Sequence, residues 1–229
     1  MAVDNQQILS GLDQEQLAVV TAIRGPVCVI AGAGTGKTRV ITNRIAYAIN
    51  SSVTDPTKVL ALTFTARAAG EMRARLRALG VPNVAARTFH SAALKQLLYF
   101  WPYAFGGQFP SLLTSKSGFI SQAIERSEVA IPAQVSSLRE IASEIEWAKV
   151  LEISPDGYCQ RALESDRLVK LPNNKSNNEN FSMIAKVYEA YEALKREERS
   201  LDFEDVLLLT VGMLEEERGV RERVRDQYR

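Results

Sequence analysis

Two kinds of apolar pattern follow one another along the chain. Val27-Cys28-Val29-Ile30-Ala31 is a short β-branched run ended by Gly32-Ala33-Gly34-Thr35-Gly36, which predicts a buried parallel strand. Val40, Ile41, Ile45, Ala48 and Ile49 then recur at helical spacing and predict a helix over 37–50. The scheme repeats with a strand over 58–64 and a helix over 66–79 stopped by Gly80 and Pro82, and again with a strand over 84–89 and a helix over 91–100. Strand and helix alternating at this spacing predict an α/β layer with a parallel sheet.

The pattern changes at Trp101-Pro102, which Gly106-Gly107 and Pro110 follow. Beyond it only helical periodicity is legible, over 117–127, 134–150, 154–165 and 181–198, interrupted by Pro132, Pro155 and the polar tract 172–180, which reads as an exposed loop. This predicts a mostly helical module of about a hundred residues. Asp202 then opens a last helix to about Glu217, with Asp205 three residues on as a capping partner.

Composition narrows the class. The chain has 229 residues, 46% of them apolar, and 28 Lys+Arg against 27 Asp+Glu. No apolar run approaches the roughly 20 residues of a membrane-spanning helix, and residues 1–11 lack signal-peptide character, so a cytosolic, cytoplasmic protein is expected. Cys28 and Cys159 are too few for a disulfide framework and lack metal-ligand spacing, which leaves them as reduced packing residues. The even balance conceals an asymmetry: residues 39–95 carry nine basic side chains against Asp55 and Glu71, a net of +7. Either a polyanion meets this stretch, or it is a solvated helix face, since Arg73, Arg75 and Arg77 alternate and cannot all point one way.

Residues 31–38 match the phosphate-loop pattern G-x-x-x-x-G-K-[ST], with Ala31 in place of the first glycine. Glycines let the backbone wrap a polyphosphate so that successive N–H groups face its oxygens, and the following helix adds the positive end of its dipole. Gly32, Ala33, Gly34, Thr35 and Gly36 would form the cradle, Lys37 would reach the β and γ phosphates, and the Thr38 hydroxyl would ligate Mg²⁺. Lys37 and Thr38 are therefore the catalytic candidates. Hydrolysis also needs a metal-holding carboxylate at the end of a second apolar strand, and none is legible: residues 206–214, which lead into Glu215-Glu216-Glu217, read as helix.

Four segments in order carry a family resemblance. Leu12-Asp13-Gln14-Glu15-Gln16 ahead of the phosphate loop, Thr63-Phe64-Thr65-Ala66-Arg67-Ala68-Ala69-Gly70-Glu71-Met72, Thr88-Phe89-His90-Ser91 and Leu201-Asp202-Phe203-Glu204-Asp205-Val206-Leu207 together resemble the UvrD/Rep/PcrA-like superfamily-1 DNA helicases. The resemblance implies an incomplete RecA-like parallel sheet of the P-loop NTPase class with an inserted mostly helical subdomain. It places the first part of the motor subdomain at 1–100, the insertion at 101–198 and a return to the motor at 199–229. Arg225-Asp226-Gln227-Tyr228-Arg229 looks like the stretch preceding the family's Asp-Glu-x-Gln-Asp motif, which implies an amino-terminal fragment ending just short of it.

The same resemblance implies ATP and Mg²⁺ as cofactors, with Gln16 on the adenine edge and Arg39 helping to hold nucleotide. It assigns Thr63, Phe64, Thr65, Arg67, Thr88, Phe89 and His90 to single-stranded DNA, Phe64 stacking on a base whatever its identity. Two departures stand out: Ala66 and Arg67 replace the family's Asn and Lys, so an amide contact is lost while the charge survives. The whole protein would be a 3′-to-5′ helicase acting on single strands and single/double-strand junctions, with further motor domains and repair proteins as partners, and the fragment alone would be inactive. Read without the family, Gln16 is a capping residue, Phe64 and Phe89 are core aromatics at strand ends, and His90 is a structural group; yet ligand sites in open α/β sheets lie at those very strand ends. Two rival readings are a non-catalytic nucleotide- and DNA-binding module and a small-molecule kinase sharing only the loop.

Overall fold

The computed structural model describes residues 4–173 and 175–228; residues 1–3, Asn174 and Arg229, which belong to stretches named above, lie outside the described residues. The chain divides into two compact units. One takes the chain up to Phe100 and again from Thr210 onward, and the other comprises Trp101–Leu209.

The first unit opens with Asn5–Leu9 (α1), Gln14–Thr21 (α2) and Lys37–Asn50 (α3). Leu60–Thr63 (β1), Ala66–Ala78 (α4), Ala85–Thr88 (β2) and the start of Phe89–Ala104 (α5) follow. β1 and β2 pair in parallel, with Leu60 opposite Ala85 and Thr63 opposite Thr88. A parallel pair needs a crossover, and α4 supplies it. Thr65 starts that helix by accepting a hydrogen bond from the Ala68 amide at 3.1 Å, and Gly80, at φ +79°, lets the chain turn after its end. Met72 and Leu76 of α4 then bury against Ala61 and Ala86 of the strands, with Ile8, Ala46, Val81 and Val84 completing the core. Of the three alternating arginines, Arg73 turns back to donate to the Ala86 carbonyl at 2.8 Å, while Arg75 and Arg77 are exposed.

The second unit contains Ser111–Leu112 (β3), Ser117–Arg126 (α6), Val135–Val150 (α7), Pro155–Glu164 (α8), Asn177–Glu197 (α9), Ser200–Leu201 (β4) and the start of Phe203–Glu216 (α10). Arg218–Gln227 (α11) closes the described chain. Ile120, Ile141, Ile145, Tyr158, Phe181, Ile184 and Tyr191, from four helices, form a dry core. Two charged networks cross it. Glu144 is buried, accepts from Arg167 Nε at 2.9 Å and from Tyr158 Oη at 2.7 Å, and Arg167 lies 4.3 Å from the Trp147 ring centre. Burial, reinforced by Glu144, pushes the Tyr158 phenol far above its ordinary range.

In the second network Lys149 and Lys195 converge on Asp202, Asp205 and Glu192. Lys149 Nζ lies 2.9 and 2.8 Å from the two Asp202 oxygens and also contacts Asp205; Lys195 Nζ lies 2.9 Å from Asp202 Oδ2 and 2.6 Å from Asp205 Oδ2. Tyr191 Oη donates to Asp202 at 3.0 Å. Asp202 and Asp205 also accept each other's backbone N–H at 2.9 Å, the reciprocal cap expected of this helix start.

Several expectations are corrected. Residues 27–31 form no strand among the described residues, and Val29 and Ile30 are 46% and 97% exposed. Apolar pattern specifies side-chain burial, but a strand also needs a hydrogen-bonded neighbour, and none pairs with this segment. Cys28 is consequently exposed rather than packed. α5 runs through Pro102 to Ala104, because a proline in the last turn forfeits only one helical bond. α9 begins at Asn177 inside the polar tract, where Ser176 and Glu179 form a capping box. The two-residue strands β3 and β4 pair in parallel and carry no periodicity long enough to read.

Burial disfavours charge on Asp202, but Lys149 and Lys195 outweigh it and hold the carboxyl well below its ordinary 3.8; Lys149, likewise buried, is held above 10.5 first by Asp202 and then by its other acids. A lowered acid contributes stability above its unfolded pKa and loses it as pH falls through the folded one, while a raised lysine loses its contribution only as pH rises through its folded value. Asp202→Asn should therefore cost about 3–5 kcal/mol in urea denaturation at neutral pH by leaving buried ammoniums underpaired. The gap from the unsubstituted chain should narrow below pH 3.8.

Candidate functional site

The phosphate-loop segment leads directly into α3. Gly34 and Gly36 have φ of +79° and +82°, a left-handed backbone that a Cβ would strain, and Gly36 is the residue before the first helical turn. α3 begins with no side-chain cap and no acid in its first turn, which leaves its leading amides and dipole to an anion. Lys37 Nζ folds back onto the loop, donating to the Ala31 and Gly32 carbonyls at 3.0 and 2.5 Å, and Thr35 Oγ1 donates to the Gly32 carbonyl at 2.9 Å. Thr38 is half-buried in the first turn.

α2 braces this loop. Asp13 accepts from the Gln16 amide at 2.8 Å, fixing the helix start, and Gln16 Nε2 donates to the Thr35 carbonyl at 3.2 Å. A Cβ on Gly36 would come within 3.4 Å of the same Gln16 nitrogen. Arg39 Nη2 donates to the Ser10 carbonyl at 3.0 Å. Gln16 is thus a capping residue whose side chain also touches the loop; Asp13, three residues earlier, signals the first role, whereas the second depends on a contact nineteen residues away.

The other candidates gather where β1 and β2 end. Because Thr63 stands opposite Thr88, the next residues also lie side by side: the Phe64 and Phe89 rings are 5.4 Å apart at 41°. Phe64 is 88% exposed and Phe89 43%, so neither is a core aromatic. Thr65 caps α4, and Thr88 Oγ1 accepts from the Ser91 amide at 3.1 Å, so both hydroxyls also serve local structure. The Arg67 side chain is 90% exposed and pairs with Glu71 at 3.2 Å. His90 is half-buried beside Phe89.

The residues present fit a polyphosphate: two positive-φ glycines, an uncapped helix start and a lysine share one loop. For a divalent metal the loop offers the Thr38 hydroxyl. The carboxylate group with metal-binding spacing among the described residues is Glu192, Asp202 and Asp205, and there two ammoniums already occupy the space a cation would take.

These features place the chain among proteins built around a phosphate-loop motif. Residues 12–229 match the UvrD/REP helicase N-terminal domain, and the chain belongs to that family. Over its whole length it is 42% identical to the ATP-dependent DNA helicase UvrD2 of Mycobacterium tuberculosis, covering 33% of that protein. Over 97% of its length it is 30% identical to the ATP-dependent DNA helicase PcrA of Leuconostoc citreum, covering 28% of it. The chain thus spans about a third of the length of the curated relatives it matches.

Gln16→Leu removes one hydrogen bond to the loop while keeping a helix-compatible side chain. Amide exchange at Gly34, Thr35 and Gly36 should accelerate about two- to tenfold, as expected for loss of a bond contributing ~0.5–1.5 kcal/mol, with exchange in β1 unchanged.

Proposed function

We propose that this chain is the nucleotide- and strand-binding part of an ATP-dependent DNA helicase with a RecA-like first motor subdomain, into which residues 101–198 are inserted as a helical subdomain. The observation that carries the reading is the coexistence, in one compact unit, of an uncapped phosphate-loop helix and a pair of exposed aromatics on adjacent parallel strand ends. ATP would lie against Gly32–Thr38, with Lys37 leaving the carbonyls of Ala31 and Gly32 for the phosphates, Gln16 on the adenine edge and Arg39 helping to hold the nucleotide. When bound, Mg²⁺ would supply charge neutralisation of the phosphates next to Thr38.

Single-stranded DNA would cross the strand ends. Phe64 and Phe89 offer apolar faces that stack on any base, Arg67 offers charge to phosphate, and Thr63, Thr65, Thr88 and His90 supply polar atoms around them. In the whole protein, closure of motor domains around ATP would move the strand past these rings in the 3′-to-5′ sense implied by the family resemblance, at single/double-strand junctions and in DNA repair. Among the described residues no helix is long and apolar enough to cross a membrane.

A non-catalytic binding module is the second reading, favoured by one observation: the carboxylate cluster of metal-binding spacing is neutralised by lysines and belongs to the helical unit. The 229-residue chain alone would bind nucleotide and strand without turnover; phosphate release above background, abolished by Lys37→Ala, would show otherwise. Family membership sets the kinase reading aside.

Lys37→Ala should abolish binding of a fluorescent ATP analogue. Phe64→Ala should weaken oligonucleotide binding by about 1–3 kcal/mol regardless of base sequence, and the affinity should fall with salt with a log–log slope of about 0.7 per phosphate contacted. Binding that ignores both salt and Phe64 would rule out the strand-tip face.

A further inference from the structure

α5 begins at the second strand tip, and its first three turns have two unlike faces. Ala92, Ala93, Gln96, Leu97 and Phe100 are buried, whereas Ser91, Lys95, Leu98 and Tyr99 form an exposed stripe, with Tyr99 75% exposed. Residues 89–104 contain no acidic side chain. Among the described residues Lys95 enters no ion pair. An exposed aromatic ring thus lies one helical turn beyond an exposed ammonium on the same face of the helix.

We propose that Lys95 and Tyr99 form a further subsite for single-stranded nucleic acid, continuing the track that starts at Phe64 and Phe89, with Lys95 on a phosphate and Tyr99 stacked on a base. The proposal rests on the strand-tip reading above and extends it to a face that the reading does not use. Two observations select this occupant over an apolar protein surface. The stripe starts within one turn of the Phe64–Phe89 pair, so a bound strand reaches it without leaving the protein. Its charge is of one sign, and a polyanion is the partner that one sign of charge attracts. Ten residues of helix separate Phe89 from Tyr99, a rise of ~15 Å. That span matches about four nucleotides at the stacked spacing of ~3.4 Å, and fewer when the strand is stretched. The rings of Tyr99 and Phe100 lie 4.8 Å apart between centres at 89°, a T-shaped contact that steadies Tyr99 while it stays 75% exposed.

Length dependence tests this. Oligothymidylates of about two and about twelve nucleotides are titrated against the unsubstituted chain and against Phe64→Ala, Tyr99→Ala, Tyr99→Phe, Tyr99→Leu and Lys95→Gln. Tyr99 is exposed, so its variants should retain the helical circular dichroism of the parent. The subsite requires Tyr99→Ala and Tyr99→Leu to weaken the longer oligonucleotide about tenfold, Tyr99→Phe to leave it unchanged, and the shorter one to be insensitive to all three. Lys95→Gln should lower the salt slope for the longer oligonucleotide by about 0.7.

If Phe64→Ala weakens both lengths while the Tyr99 and Lys95 variants bind like the parent, the subsite is overturned and the strand-tip reading survives. If Tyr99→Leu binds as well as the parent but Tyr99→Ala does not, the stripe is an apolar docking face and the proposal fails. If neither length binds the unsubstituted chain, both readings fall together.

Discussion

Two four-residue strands held parallel and in register decide where the chemistry-bearing side chains of the first unit emerge. With Thr63 opposite Thr88, everything that follows each strand leaves from the same edge: Phe64 beside Phe89, and the first turn of α4 beside that of α5. A slip of one residue would send the side chains of one strand to opposite faces and separate the rings. Small residues at Ala61 and Ala86 keep α4 close, and the Arg73 guanidinium on the Ala86 carbonyl ties the helix to the second strand. The exposed rings are thus carried by a buried, tightly specified frame, the arrangement in which a binding side chain can be both accessible and fixed.

The helical unit solves a different problem. Its helices α7 and α9 and the start of α10 are joined by buried charges as well as by apolar packing. Ions taken out of water stabilise only when their remaining hydrogen bonds are met, and here Tyr191 and the α10 amides meet them. Such a cluster tolerates one arrangement of its helices, which apolar contact alone does not impose. The motif around Asp202 and Phe203 is thereby explained by folding: its first aspartate caps a helix and anchors two lysines from elsewhere in the unit.

Much of this was legible. Helix 37–50 was readable to the residue, because glycines bound it on one side and its apolar stripe is regular; β1, α4 and β2 were readable within a residue or two, because each is short, uniform and bracketed by turn residues. What escaped was whatever depends on partners distant in sequence. Periodicity could not show that residues 27–31 pair with nothing among the described residues, nor that Lys149 and Lys195, each on the buried side of its helix, share one pair of aspartates. A lysine at an apolar helical position was the available clue. At the candidate site the residue types were readable, whereas the second roles of Gln16, Thr65 and Thr88 in local hydrogen bonding required coordinates.

The unpaired segment 27–31 has a practical consequence. Its backbone groups lack ladder partners, and Ile30 stands almost wholly in water next to Val29 and Cys28. Backbone groups without ladder partners beside exposed apolar side chains favour pairing with another extended chain, a second copy included. On this surface, contact between copies is expected to begin at Ile30 and its neighbours as concentration rises.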